Sequence, residues 1–172
     1  MKRCLLFSLS LASCQAPEKA ADVDRDAVAA EIKTEADKYL QFLFARDLEQ
    51  WTALFKRDGF EMIINGNARE SYEEVATAFG KNFEVWAGVE GNWDGTRVRV
   101  LSADSAVFRG FFHGDIKLAS GETRHYPKVF KTLVYERTDS VWKVASIHES
   151  YDPVSVVISG PNDADPSESG DR

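Results

Sequence analysis

Apolar residues recur at steps of three and four positions between Asp26 and Arg46, which is the spacing of one face of an α-helix. The residues on this face are Val28, Ile32, Ala36, Tyr39, Leu40, Leu43 and Phe44. Asp47 interrupts the pattern, and a second short helix is predicted from Leu48 to Lys56. The folded part of the chain is therefore expected to begin with two amphipathic helices.

A strand, a turn and a third helix are predicted next. Residues 60–64 form a short apolar run, and the Asn-Gly-Asn sequence that follows is typical of a turn. Ser71 is a good N-cap residue, and Glu74 lies three positions later, which is the spacing of a capping box. A third helix is therefore predicted to start after Ser71.

Beyond Trp93 the apolar positions alternate with a period of two, as in half-buried strands. Four strands are predicted, at residues 96–101, 105–117, 123–137 and 141–151. The turns between them are short, so the strands should pair as antiparallel hairpins. Gly110 and Gly114 lie inside a strand and favour bends or bulges. We expect an α+β fold in which three helices pack on a curved, mainly antiparallel sheet shaped like a half-open cone.

The two ends of the chain differ from this central part. Residues 1–13 combine Lys2 and Arg3 with an apolar run too short to span a bilayer, which predicts an export signal. Residues 11–14, Leu-Ala-Ser-Cys, resemble the lipobox of bacterial lipoproteins, in which the cysteine, here Cys14, is acylated. The alternatives are ordinary secretory cleavage after Ala16 and a cytosolic protein with an apolar start.

The resulting organisation has four parts. Residues 14–25 are expected to form a flexible tether, residues 26–158 the folded domain, and residues 159–172 a disordered acidic tail. The expected location is the bacterial cell envelope, facing the periplasm and held by a lipid anchor, or otherwise a secreted or periplasmic form. Contact with a membrane is expected through the anchor alone.

Composition narrows the expected partners. The formal net charge is −7 and no dense cluster of Lys and Arg occurs, so nucleic acid is not an expected partner. The three histidines, His113, His125 and His148, form no HExxH or His-x-His motif, and neither a metal nor another cofactor is expected. Four Trp and eleven Phe predict a core or cavity lined with aromatic rings.

Candidate binding residues follow from strand alternation. In the stretch WKVASIHES, Ser146, His148 and Ser150 share a face with Trp142 and Val144 if the strand is regular. His148 and Ser150 then form either the floor of a pocket or the solvated end of a strand. On an earlier strand, Arg109 and His113 share one face, where they bind an anion if the face is concave and are solvated if it is convex.

The order and length of these elements resemble the nuclear transport factor 2-like superfamily, which includes ketosteroid isomerase, the SnoaL-like polyketide cyclases and a kinase association domain. The segments that carry the resemblance are ARDLEQWTALF, SADSAVFRGFF and FKTLVYERTDSVWKVASIHES. The last of these is most similar to the SnoaL-like and kinase-association branch. The resemblance implies a cone-shaped domain with a pocket inside, and a homodimer that forms through the outer sheet face.

The resemblance also implies where a ligand binds. It orients the polar end of the last strand into the cone, so His148 and Ser150 become pocket residues. Phe130 and Thr132 are similar in position to an inward-facing Arg-x-Thr of the family, with Phe130 in place of the Arg. Tyr39 lies where ketosteroid isomerase has a first-helix Tyr. The complete predicted pocket comprises Tyr39, Trp51, Arg109, His113, Phe130, Thr132, His148 and Ser150.

Three functions are compatible with the sequence. The isomerase mechanism is not expected, because its base position falls at Ile63 and its acid-donor position near Lys131 or Thr132. The favoured function is binding of a small, largely apolar molecule in an aromatic-lined cone. The alternatives are a cyclase, isomerase or hydratase that uses His148 as its acid-base group with Tyr39 or Thr132 supporting an oxygen, and a structural or assembly module whose cone is filled by its own side chains.

Overall fold

The computed structural model describes residues 23–160 and confirms the α+β plan with a curved sheet. The helices are α1 (Arg25–Ala45), α2 (Leu48–Ala53) and α3 (Tyr72–Val85), and a 3₁₀ turn covers Pro153–Ser155. The strands are β1 (Glu61–Ile64), β2 (Asn67–Arg69), β3 (Trp86–Ser102), β4 (Ser105–Leu118), β5 (Thr123–Thr138), β6 (Val141–Ser150) and β7 (Val157–Ser159). The hairpin of β1 and β2 separates α3 from the first two helices, so the helices do not form one N-terminal block.

Several predictions about the ends of the chain concern residues outside the described range. These are the export signal at 1–13, the lipidated Cys14, most of the tether at 14–25 and nearly all of the tail at 159–172. The described part shows that α1 begins at Arg25, within the predicted tether, and that β7 ends at Ser159. Between residues 23 and 160, none of the helices has both the length and the apolar character needed to cross a bilayer.

Side-chain caps set the helix boundaries. The carboxylate of Asp24 accepts a hydrogen bond from the backbone N–H of Ala27 at 3.0 Å, and that of Asp47 accepts one from Gln50 at 3.0 Å. Between α1 and α2, Arg46 adopts a left-handed conformation with φ 54°. The predicted helix break at Asp47 is therefore a cap that ends one helix and starts the next.

The third helix has a variant of the predicted capping box. Ser71 Oγ accepts a hydrogen bond from the N–H of Glu74 at 3.2 Å, as predicted. The Glu74 carboxylate accepts from the N–H of Glu70 at 2.9 Å, one residue before the cap. Both interactions satisfy backbone donors at the start of α3.

The sheet runs in the order β2-β1-β6-β5-β4-β3, with β7 paired to the outer end of β5. All described pairs are antiparallel except β1 with β6, which is parallel. Helix α1 is tied to β3 by two hydrogen bonds, from Trp93 Nε1 to the carbonyl of Ala36 at 3.2 Å and from Arg25 to the carbonyl of Val100 at 2.7 Å. The inner face of the sheet and the apolar faces of the helices enclose one core.

A β-bulge at Ala145 reverses the alternation of the last strand. Val134 pairs with Ser146 and Tyr135 pairs with Val144, so Ala145 is an extra residue on β6. Before the bulge Val144 faces the core, and after it Ile147 does, with 1% and 0% of their surfaces exposed. The prediction that Ser146, His148 and Ser150 share the core-facing side with Trp142 is therefore wrong, because the extra residue moves them to the outer face.

Two glycines allow β3 and β4 to approach closely where the sheet bends. A Cβ atom on Gly114 would lie 2.1 Å from the carbonyl oxygen of Glu90, and one on Gly91 would lie 2.3 Å from that of His113. Gly91 also has φ 155°, which side chains rarely adopt. This part of β3 was missed by the sequence analysis, because its glycines and polar residues interrupt the alternation.

Replacing Gly114 with alanine is expected to lower the free energy of unfolding by about 1–3 kcal/mol, because backbone must move to admit the methyl group. Gly88→Ala on the adjacent strand is the matched control, since a Cβ there has no neighbour closer than 3.9 Å. Its effect should be within about 0.5 kcal/mol. Urea unfolding followed by tryptophan fluorescence measures both, and equal effects would contradict the proposed close approach.

Candidate functional site

The cone encloses a partly open cavity of about 150 Å³. Its walls come from α1, α3 and five strands. Most of the lining is apolar, with aromatic residues Tyr39, Phe79, Trp86, Phe112, Tyr126 and Tyr151 and aliphatic residues Leu43, Ile64, Val89, Ile116 and Val129. The remaining lining residues are Asn82, Lys131 and Glu149. A small number of polar groups in an aromatic cavity is the usual composition of a ligand site.

An ion pair between Lys131 and Glu149 lies in this cavity. The two residues are direct neighbours across β5 and β6, and Lys131 Nζ is 2.5 Å from Glu149 Oε2. Their side chains are 8% and 15% exposed. Charged side chains at such depth are found almost exclusively as paired groups, and this pair satisfies that requirement.

Tyr39 completes the polar group of the cavity. Lys131 Nζ donates a hydrogen bond to the Tyr39 hydroxyl at 3.5 Å, near the limit of such a bond. The same ammonium lies 5.4 Å from the ring centroid of Tyr39 and 5.7 Å from that of Phe112, within the range of cation–π attraction. Lys131 is therefore held by one carboxylate, one hydroxyl and two aromatic rings.

The surroundings keep Lys131 charged. Burial alone would lower its pKa, but the Glu149 carboxylate and the Tyr39 hydroxyl outweigh this, and the net pKa lies above its ordinary value. At neutral pH Lys131 is thus a cation that donates hydrogen bonds, and no free amine is available to act as a base or nucleophile.

The surroundings likewise keep Tyr39 neutral. Burial raises the pKa of its hydroxyl, and the charge of Lys131 offsets only part of that effect. At neutral pH Tyr39 retains its proton and can donate a hydrogen bond. At the ion pair, the cavity therefore offers two donors, Lys131 and Tyr39, beside one carboxylate acceptor, Glu149.

Of the predicted pocket residues, Tyr39 lies in the cavity wall and Trp51 lies behind it. Trp51 is fully buried, with ring centroids 5.5 Å from Tyr39 and 4.4 Å from Phe79. It supports two wall residues and does not itself line the cavity. That Tyr39 contacts a ligand stays a prediction.

The other six predicted residues lie on the outer face of the sheet, so their predicted inward orientation is wrong. His148 is exposed and pairs with Thr132, and Ser150 pairs with Phe130. Their inward neighbours on β5 are Val129, Lys131 and Leu133, all buried. Arg109 and His113 alternate with the buried residues Phe108 and Phe112 of β4 and face outward as well.

Lys131 and Glu149 are the site residues that the sequence analysis missed. On β5 both alternating sets are largely apolar, Val129, Leu133 and Tyr135 on one face and Phe130 and Val134 on the other, so alternation did not identify the inner face. On β6 the one indication of the bulge was Ile147. In a regular strand, Val144 and Ile147 would lie on opposite faces, because they are three positions apart, yet both are apolar and buried. Giving Ile147 more weight would have placed Glu149 inside.

The described residues offer no ready metal site. Across residues 23–160, no group of three or more His, Cys, Asp or Glu side chains is positioned to hold a metal ion. His125 Nδ1 lies 2.5 Å from Asp115 Oδ1 near the ends of β4 and β5, and neither residue lines the cavity.

Comparison with known families assigns the fold. A model of the SnoaL-like domain matches residues 32–154. The chain belongs to this family. The match starts within α1 and ends four residues after β6, and it includes every residue that lines the cavity. The predicted resemblance to the nuclear transport factor 2-like superfamily is confirmed at this level.

Solved structures similar to this SnoaL-like domain agree on the fold. One is a Xanthomonas campestris protein named as a candidate association domain of calcium/calmodulin-dependent protein kinase II, with 23% identity, a TM-score of 0.65, and coverage of 81% of this chain and 98% of that one. Another is a type 2 hexachlorocyclohexane dehydrochlorinase, with 20% identity, a TM-score of 0.66, and coverage of 80% and 93%.

A third is a ketosteroid isomerase-like protein from Erwinia carotovora atroseptica, with 22% identity, a TM-score of 0.63, and coverage of 71% of this chain and 94% of that one. Comparison with curated proteins gave no significant match. At these identities the structural neighbours establish the architecture of the cone alone.

Proposed function

We propose that the SnoaL-like domain binds a small, mainly apolar molecule inside the cone, with one polar group of that molecule directed at Lys131 and Glu149. The observation that carries this proposal is the cavity itself, which has aromatic walls and a buried ion pair as its polar part. A core built for stability alone would gain little from such a pair, because hydrophobic residues of similar volume stabilise about as well or better.

The size of the cavity limits the ligand. An apolar cavity of about 150 Å³ holds benzene, and the cavity in this domain has about the same volume, 150 Å³. A molecule with one ring or a short chain is therefore the expected ligand. The same open volume argues against the alternative of a structural module whose cone is filled by its own side chains.

Ile116→Trp is expected to weaken binding of a single-ring probe such as benzamide by about tenfold or more, because Ile116 lines the cavity and an indole would occupy it. Val107→Trp is the matched control, since Val107 lies on the same strand but faces outward. Titration calorimetry of the full chain measures both. The proposal is contradicted if the parent protein binds no single-ring probe, or if Val107→Trp is the variant that loses binding.

Catalysis is the second candidate, and the placement of Glu149 favours it. A carboxylate in a cavity can accept a proton from a bound molecule, while the Lys131 ammonium and the Tyr39 hydroxyl stabilise negative charge that develops on an oxygen. Two structural neighbours carry enzyme names, the dehydrochlorinase and the ketosteroid isomerase-like protein. In this version Glu149 takes the acid-base role that the sequence analysis gave to His148, which lies outside the cone.

If the domain turns over a substrate, Glu149→Gln should lower kcat by about 10²–10⁴, because the amide cannot accept a proton in the same way. His148→Gln should leave kcat within about twofold, because His148 is exposed on the opposite face of the sheet. Steady-state kinetics of both variants shows which residue is the acid-base group. A loss of kcat in His148→Gln alone would refute the assignment of Glu149.

The location of the domain is a proposal based on the N-terminal sequence. Export and acylation of Cys14 would hold the cone at the envelope by a lipid anchor. Mass spectrometry of the protein purified from its host tests this, because an intact Met1 would contradict it and a diacylated Cys14 would support it.

A further inference from the structure

We infer that the cone accepts neutral molecules and rejects carboxylates, and that Glu149 sets this selectivity. The inference rests on the proposed binding function and adds to it the charge of the ligand. The favoured ligand carries a hydrogen-bond acceptor and a donor bonded to the same carbon, as a primary amide does.

The first step is the charge of the cavity. Of the fourteen residues that line it, Lys131 and Glu149 are the ones with acidic or basic side chains. Burial raises the pKa of the Tyr39 hydroxyl and of the Tyr126 hydroxyl, so these two remain neutral at neutral pH. One positive and one negative group sum to zero. A neutral ligand therefore keeps the buried charges balanced, whereas a carboxylate would place two negative groups beside one ammonium in an environment where unpaired charge is costly.

The second step is the hydrogen-bonding capacity left at the ion pair. An ammonium has three N–H donors, and among residues 23–160 those of Lys131 have two partners, Glu149 Oε2 and the Tyr39 hydroxyl. One donor of Lys131 is thus available, and so is the hydroxyl proton of Tyr39. Glu149 Oε1 has no hydrogen-bond partner within the described residues. A ligand carbonyl can accept from Lys131 or Tyr39 while an adjacent N–H donates to Glu149.

Lys131 stays charged at neutral pH and lies close to Glu149. The pKa of Lys131 is raised, so the ammonium persists at neutral pH. The Glu149 carboxylate lies 2.5 Å from Lys131 Nζ, so a ligand carboxylate that accepted from the remaining donor of Lys131 would lie close to a second negative group. Removing the charge of Glu149 should free Lys131 to pair with a ligand carboxylate.

Three single-ring probes test the inference on the full chain: toluene, benzamide and benzoate, of which the last two have the same shape and differ in charge. The parent protein should bind benzamide at least about tenfold more tightly than benzoate. In Glu149→Gln the preference should reverse, with benzoate binding at least about tenfold more tightly than in the parent. Titration calorimetry at neutral pH measures all affinities, and circular dichroism verifies that each variant is folded.

Glu136→Gln is the matched control. Glu136 also pairs with a lysine at 2.5 Å, but its side chain is 42% exposed and lies away from the cavity. Its probe preference should equal that of the parent. If Glu149→Gln does not fold, the comparison of benzamide with benzoate on the parent still tests the selectivity, and Glu149→Ala, checked for folding in the same way, tests whether Glu149 sets it.

The outcomes separate the two proposals. Equal binding of benzamide and benzoate to the parent, or an unchanged preference in a folded Glu149→Gln, overturns the selectivity and leaves the binding function standing. Absence of binding by all three probes overturns the binding function and the selectivity together.

Discussion

Replacing Lys131 with methionine is expected to lower the free energy of unfolding by about 3–5 kcal/mol, because the Glu149 carboxylate would lose its cation while remaining in the cavity. Unfolding in urea at neutral pH measures the change. Because the pKa of Lys131 is raised in the folded state, its contribution is fully present below the ordinary value of 10.5 and is lost as the pH rises through the higher folded value.

Two further variants show whether the loss comes from the unpaired charge. Lys117→Met breaks an ion pair with Glu90 whose side chains are 53% and 63% exposed, and should cost at most about 1 kcal/mol. The double variant Lys131→Met with Glu149→Leu removes both charges and should recover most of the stability. A double variant as unstable as Lys131→Met would contradict the role assigned to the ion pair.

Trp51→Ala is expected to lower the free energy of unfolding by about 3–5 kcal/mol, the range for deleting a large buried aromatic side chain. Trp51 is fully buried and its ring contacts Tyr39, Phe55, Phe79 and Phe83. Two of these, Tyr39 and Phe79, line the cavity. The variant should therefore also weaken binding of benzamide, because the wall behind those two residues is lost.

Trp51→Phe provides the comparison. The buried Nε1–H of Trp51 has no acceptor among the described residues, so its removal relieves an unpaired polar group. Phenylalanine keeps part of the ring contacts, and its net cost should be less than about half that of alanine. Urea unfolding of both variants checks this, and equal costs would show that the indole N–H has a partner.

The helices could be predicted closely because their caps and apolar spacing are local. Ser71 accepts the capping hydrogen bond predicted for it, the predicted helix break lies at Asp47, and α1 differs from its predicted range by one residue at each end. The first half of β3 could not be predicted in this way. Its glycines are present because two backbones approach each other, and that contact depends on β4, which lies about twenty residues away along the chain.

The candidate site was only partly predictable, because most of its residues depend on which of the two alternating sets in each strand faces the cavity. Tyr39 was named because it is similar in position to the first-helix Tyr of ketosteroid isomerase, and the structure has it in the cavity wall. Its orientation follows from a helix and does not depend on which face of a strand a residue occupies. His148 and Ser150 were placed inside on the assumption of a regular strand, and the single extra residue Ala145 moved both to the outer face and brought Glu149 in. A bulge of this kind is stabilised by the pairing of β5 with β6, so the sequence of β6 alone indicates it weakly.

A crystal structure of the full chain with benzamide tests the central claim most directly. We expect the benzamide ring to lie between Tyr39, Phe112 and Tyr126. The amide should lie within hydrogen-bond distance of Lys131 and Glu149, and His148 should lie on the outside of the cone. Benzamide bound on the outer face beside Thr132 and His148, or a Glu149 side chain turned away from the cavity, would contradict it.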